Sequence, residues 1–250
     1  YLSRAGLDSV TGYPYGSFTL TLNDGLCSDF RFNAWRWILY QFTHVGVSHV
    51  GMNVIMCLFL GIPLEGRLGW WRMMLMFEIG VFGGACNYFV ADARTVVVGM
   101  SGGCYALIGI TFADIIVHWR ERKFKKLTLF FLFCLLLADL LTVLYGHEQG
   151  SHEEGGGVTS HTAHFGGIVA GLLGGAVLSY SRKETTRDFI IKIVALTLGI
   201  VLCLFCLIWN FAHREPRSVF LGPDDTPLYW VRQGWRPGWE TFKGLRCRCS

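Results

Sequence analysis

The sequence predicts an all-α, polytopic membrane helix bundle, and three observations predict it. The chain of 250 residues is 52% hydrophobic and 16% charged, against about a quarter charged in soluble domains. Its charges gather in short segments between long apolar runs. Six such runs lie near 45–64, 73–91, 96–117, 127–146, 161–180 and 189–211, each close to the roughly 20 helical residues that cross a bilayer core. Barrel strands would alternate with period two, which these runs do not. Helices remain, because a lipid-exposed backbone must satisfy its own hydrogen bonds.

Three regions follow. Residues 1–44 are an outer loop and interfacial segment, with Trp35 and Trp37 suited to the membrane surface. Residues 45–211 are the helical core of six spans. Residues 212–250 are an extramembrane tail rich in Trp and Arg. The net charge of +4 sits mainly in two loops and the tail, so no basic face exists for nucleic acid. Cys57, Cys86, Cys104, Cys134, Cys203 and Cys206 fall in apolar runs, where small buried thiols are the plain reading, and no Cys-x-x-Cys pair points to zinc. The chain starts at Tyr1 without a signal-peptide pattern, which reads as a fragment.

Charge asymmetry orients the bundle. The loop after the third run holds Arg120, Arg122, Lys123, Lys125 and Lys126, and the loop after the fifth holds Arg182, Lys183 and Arg187. The loop between the fourth and fifth runs has no Lys or Arg, but has Glu148, Glu153 and Glu154. The positive-inside rule puts the basic loops in the cytoplasm and the acidic loop outside. The third and fifth runs then both start on the outer side.

In chain order, the first run brings His44, His49 and Asn53. His49 and Asn53 are four apart and share a helix face. They read either as a structural hydrogen-bond cluster or as donors for a developing oxyanion, together with the Ser101 backbone N–H. The third run opens Gly99-Met100-Ser101-Gly102-Gly103, with Tyr105 one turn on. Small residues there read either as close helix packing or as access to a serine nucleophile. An α/β-hydrolase elbow has similar spacing but needs a strand and a soluble sheet. The fourth run carries Asp139, expected to make a structural hydrogen bond or line a cavity. The fifth opens His161-Thr162-Ala163-His164, and Gly167, Gly171 and Gly175 continue the His164 face. An ionisable group inside a span is a functional-site hypothesis by default. Two glycine faces in contact would set the Ser101 hydroxyl beside the His164 imidazole.

These ordered motifs resemble the rhomboid family of intramembrane proteases, from about Trp35 to Gly175. Trp35-Arg36 resembles the family's Trp-Arg pair, and His49-x-x-x-Asn53 its oxyanion motif, with His44 upstream. Glu65 and Arg67 resemble its acidic-basic turn. Gly99-Met100-Ser101-Gly102 matches its Gly-x-Ser-Gly, and Ala163-His164-x-x-Gly167 its Ala-His-x-x-Gly. The family has a further span before the Trp-Arg loop, which is expected to precede Tyr1. The sixth run resembles the extra carboxy-terminal helix of animal seven-span members.

The resemblance implies a Ser101–His164 dyad that needs no metal or cofactor. Asn53, His49 and the Ser101 N–H supply the oxyanion donors, and Gly99, Gly102, Tyr105 and Gly167 support them. Tyr105 is expected to stack on His164. The expected substrates are single-span membrane proteins, cut in or beside their transmembrane helix. The expected location is the bilayer of the secretory pathway or plasma membrane, with the active site near the lumenal or extracellular face. The alternative is a catalytically silent rhomboid-like protein that binds transmembrane clients for trafficking or degradation.

Overall fold

The computed structural model describes residues 30–44, 46–91, 97–148, 161–179 and 185–212. Every regular element among them is helical, and the chain is an integral membrane helix bundle. Six long helices follow the six apolar runs: α1 (Gly46–Leu68), α2 (Trp70–Ala91), α3 (Ser101–Val117), α4 (Lys125–Glu148), α5 (His161–Leu178) and α6 (Thr186–Ala212). Four of them, α1, α2, α5 and α6, are long and apolar enough to cross a membrane, while α3 is apolar but shorter. Its 17 residues give a rise of only about 25 Å, against a core of about 30 Å.

The third run therefore does not become helix from its first residue. Gly99 has φ +102°, a conformation that L-residues with a Cβ rarely hold. It turns the chain so that the helix begins at Ser101. Gly69, at φ +84°, makes the sharp break between α1 and α2, with its N–H on the Glu65 carbonyl at 2.9 Å. Within α1 a wide turn spans Cys57–Gly61. Pro63 follows it; proline removes an N–H donor and crowds the carbonyl four residues back, which opens a helix in this way.

α3 is the central helix, buried along most of its length, between α2 and α5. α6 closes over α5 and α2. α4 stands at the edge with Leu132 buried and most other described side chains at least partly exposed. The α3–α5 seam is closed by glycines. A methyl on Gly167 would run into the Gly102 carbonyl, one on Gly171 into the Ala106 carbonyl, and one on Gly109 into the Ile168 carbonyl. Such close approach is how helices gain dispersion energy in lipid, where no hydrophobic force drives them together.

The segment before α1 is part of the core. A short helix, Arg36–Leu39, leads into a tight turn, Tyr40–Phe42. Trp35 is exposed, as a surface anchor would be. Trp37 is not: it is 3% exposed, ringed by Phe82, Phe89 and Phe211, and donates its indole N–H to the Arg31 carbonyl at 3.0 Å. The expectation of an interfacial Trp37 is corrected on that ground: a partner for the indole N–H lets the ring bury completely.

Candidate active site

α3 and α5 start at the same end of the bundle, and the residues at their first turns meet. Ser101 is the first residue of α3 and is half-buried. His164 sits in the first turn of α5 and is 5% exposed. The Gly102–Gly167 contact locks these two turns together. Tyr105, one turn below Ser101, stacks on the His164 ring with centroids 3.9 Å apart and planes within 10°. That stack fixes the imidazole plane.

The loop before Ser101 is pinned from two directions. Tyr40 is fully buried, and its hydroxyl donates to the Val81 carbonyl at 2.8 Å, close to Gly84 and Gly102. Its own carbonyl accepts the Gly99 N–H at 3.1 Å. His44 then accepts the Met100 N–H on Nε2 at 3.4 Å. Burial first, and the neighbouring His49 second, lower the pKa of His44, which keeps that nitrogen free to accept.

His49 and Asn53 face this loop from α1. A Cβ on Gly99 would lie 2.7 Å from His49 Cε1 and 3.4 Å from Asn53 Nδ2. Glycine is therefore needed here for space as well as for φ. Asn53 is 5% exposed, and its Nδ2 has no hydrogen-bond partner among the described residues. A buried, unpaired amide donor costs about 1–3 kcal/mol, which is the signature of a donor held ready for a ligand. His49 also lies within electrostatic range of His164.

All of the sequence-predicted site residues thus gather: Ser101, His164, His49, Asn53, Gly99, Gly102, Tyr105 and Gly167. Among the described residues, the Ser101 hydroxyl makes no hydrogen bond, to His164 or to any other group. The His164 ring nitrogen with a partner is Nδ1, 3.3 Å from the Asp139 carboxylate. Among the described residues its Nε2 has no hydrogen-bond partner. Catalytic hydrogen bonds are often long before substrate binds.

Two further side chains join the cluster: Asp139, expected from sequence to make a structural hydrogen bond or line a cavity, and His161, to which sequence reasoning gave no role. Asp139 of α4 reaches both His164 and His161, with 3.3 Å from its Oδ1 to each Nδ1. The signal was there, since Asp139 is an acid within an apolar run. His161 heads α5 one turn before His164, the spacing that puts two side chains on one face, and its ring meets that of His164 edge-on at 5.8 Å. Asn87 secures the α5 start by donating to the Thr162 carbonyl at 2.7 Å.

A second polar cluster lies at the other end of α3. Asp114 is fully buried. Arg67 Nη2 donates to it at 2.9 Å, His118 Nδ1 lies at 3.0 Å, and Arg122 is in ion-pair contact with it. Burial, then the charge of Arg67, bring Arg122 down to about 10, still protonated at neutral pH. Arg67 therefore turns to Asp114 rather than only marking a turn with Glu65.

Comparison with known proteins gives the same ancestry. The family model described as the Rhomboid domain matches residues 31–181. Rhomboid-related protein 3 of Homo sapiens is 31% identical over 186 residues, 73% of this chain and 46% of its own length. Rhomboid-related protein 1 of Caenorhabditis elegans is 34% identical over 168 residues, 67% of this chain and 46% of its own length. The chain thus spans about half the length of these curated relatives. Inactive rhomboid-related protein 2 of C. elegans is also similar, at 25% identity over 68% of this chain and 49% of its own length.

Proposed function

Since this chain belongs to the rhomboid family, we propose that it is an intramembrane serine endopeptidase with Ser101 as nucleophile and His164 as general base. The observation that carries the reading is the stacked His164, with Nδ1 on a carboxylate, in the turn of α5 that glycines lock against the first turn of α3. An imidazole whose Nδ1–H points to Asp139 presents its Nε2 lone pair. That lone pair takes the Ser101 proton as Oγ attacks a peptide carbonyl, and returns it to the leaving amine. Water then hydrolyses the acyl-enzyme. Asn53 Nδ2, His49 and the Ser101 N–H receive the oxyanion. Asp139 acts through His164 as a positioning residue, holding the tautomer.

The proposed substrates are single-span membrane proteins. A helical peptide bond is shielded, so cleavage favours segments with helix-breaking residues near the membrane surface. The reaction asks for no cofactor. The charge pattern of the loops supports a site near the lumenal or extracellular face, in the secretory pathway or plasma membrane.

The test is direct. A fluorophosphonate probe labels the wild-type chain in detergent, and Ser101→Ala removes the label. Coexpression with a panel of single-span proteins yields shed ectodomains with wild type and none with Ser101→Ala. The relative whose name marks it as inactive keeps a second reading in play, a silent client-binding protein. Folded wild-type chain that takes no label under any condition would establish that reading instead.

A further inference from the structure

Three ligating side chains at the head of α5 have a use that proteolysis does not call for. Asp139, His161 and His164 each offer one ligand atom, and these atoms all lie within 4.8 Å of one another. Asp139 Oδ1 is 3.3 Å from His161 Nδ1 and 3.3 Å from His164 Nδ1. Tetrahedral zinc, with bonds near 2.0–2.1 Å, sets its ligand atoms about 3.3–3.4 Å apart. Two edges of that tetrahedron are already at length, and the third is no longer than 4.8 Å.

A separate observation points to a ligand. The Nδ1 of His161 is enclosed, and it has no hydrogen-bond partner among the described residues. It is near the Asp139 carboxylate without the alignment of a hydrogen bond. A bound cation would satisfy it and the carboxylate together. The side chains of His161 and Asp139 are 33% and 20% exposed, so an ion has a way in. Two imidazoles and one carboxylate select a borderline transition metal over magnesium or calcium, and leave a fourth position for water.

We propose that Asp139, His161 and His164 form a Zn²⁺ site that switches the protease off by occupying Nδ1 of His164. The proposal rests on His164 being the general base. A neutral imidazole bound through Nδ1 carries its proton on Nε2. That nitrogen is then a donor and has no lone pair for the Ser101 proton. The ion also takes Asp139 from its positioning role. No covalent bond forms, so removing the metal restores the base.

The site is tested apart from activity, on the full chain carrying Ser101→Ala, purified in detergent and stripped with EDTA. Titration with Co²⁺ should give tetrahedral ligand-field bands, and Zn²⁺ competing with a chromophoric chelator should bind at one equivalent per chain. His161→Ala, His161→Gln and Asp139→Asn, each in that background and monodisperse by gel filtration, should weaken binding at least tenfold. Fluorophosphonate labelling of the chain with Ser101 intact is then compared with and without saturating Zn²⁺. The labelling rate should fall at least tenfold and return with EDTA, and both His161 variants should show a ratio near one. No binding, or binding indifferent to His161, overturns the site. His161-dependent binding that leaves labelling unchanged overturns the switch. Absent labelling of the metal-free protein overturns the protease reading and the switch with it, while the titration still decides the site.

Discussion

The two ends of α3 hold the same kind of chemistry in opposite states. At one end, buried Asp114 is met by Arg67, Arg122 and His118. At the other, Asn53 Nδ2 and His161 Nδ1 are buried without a hydrogen bond among the described residues. Both ends face the cost of polar groups away from water. The first meets most of it with ion pairs, which leave Arg122 Nε without a hydrogen bond among the described residues, whereas the second has no ion pair to Asn53 at all. An ion cluster that clamps α1, α3 and the following loop is structural. Unpaired polar groups gathered at one end are what the proposed reading needs for a substrate that arrives.

The comparison breaks first at the clamped end. Asp114→Ala leaves two guanidinium groups without their carboxylate, and losing one partner of a buried pair costs about 3–5 kcal/mol. Thermal unfolding in detergent should show a larger midpoint drop than for Asn53→Ala, Asp139→Asn or Tyr105→Leu. The fraction that stays folded should still take the fluorophosphonate label. A stable but unlabelled Asp114→Ala protein would mean that the two ends are not separable.

The open end should respond the other way. Asn53→Ala removes a donor from the developing oxyanion and should lower kcat about 10²–10³-fold, with the cleavage of a fluorogenic transmembrane substrate as the measure. The unfolding midpoint should move far less than for Asp114→Ala, because Nδ2 gives up no protein hydrogen bond. A large stability loss without a rate loss would make Asn53 a structural residue.

Asp139→Asn comes next. The amide can offer an N–H to His164 Nδ1 and so favour the tautomer with the proton on Nε2, which is the wrong one for a base. A buried triad carboxylate loses roughly 10⁴-fold in that exchange. Asp139 sits at 3.3 Å, is partly exposed and is shared with His161, so about 10²-fold is expected, in kcat and not in KM. An equal change in KM would place Asp139 in substrate binding.

Much of this was legible in the order of residues. Each apolar run became a helix, and the Gly99-x-Ser101-Gly102 and Ala163-His164-x-x-Gly167 motifs came together because glycines at three- and four-residue spacing share one face. The Tyr105–His164 stack was also readable, from a ring one turn below the serine. What local pattern does not carry is which distant groups meet. Arg67 and Asp114 are 47 residues apart, as are Cys57 and Cys104. Tyr40 wedges against Val81, and Trp37 leaves the surface for an aromatic pocket. Asp139 was visible as an acid in an apolar run, but only the folded bundle brings it to two imidazoles of α5. The expectations for the tail at 212–250 fall, beyond Ala212, outside the described residues, as do those for the acidic loop beyond Glu148.

The smallest effect tests whether the stack matters beyond filling space. Tyr105→Leu keeps an apolar side chain of moderate size against His164 but removes the parallel ring. Aromatic pairs contribute about 0.5–1.5 kcal/mol beyond area burial, which corresponds to a rate loss of about two- to tenfold if the stack holds the imidazole plane on which proton transfer depends. Tyr105→Phe retains the ring, loses only the hydroxyl that faces Asp139, and should recover most of that loss. Rescue by Phe assigns the effect to stacking. No rescue assigns it to the hydroxyl, and moves Tyr105 from the His164 ring to the carboxylate behind it.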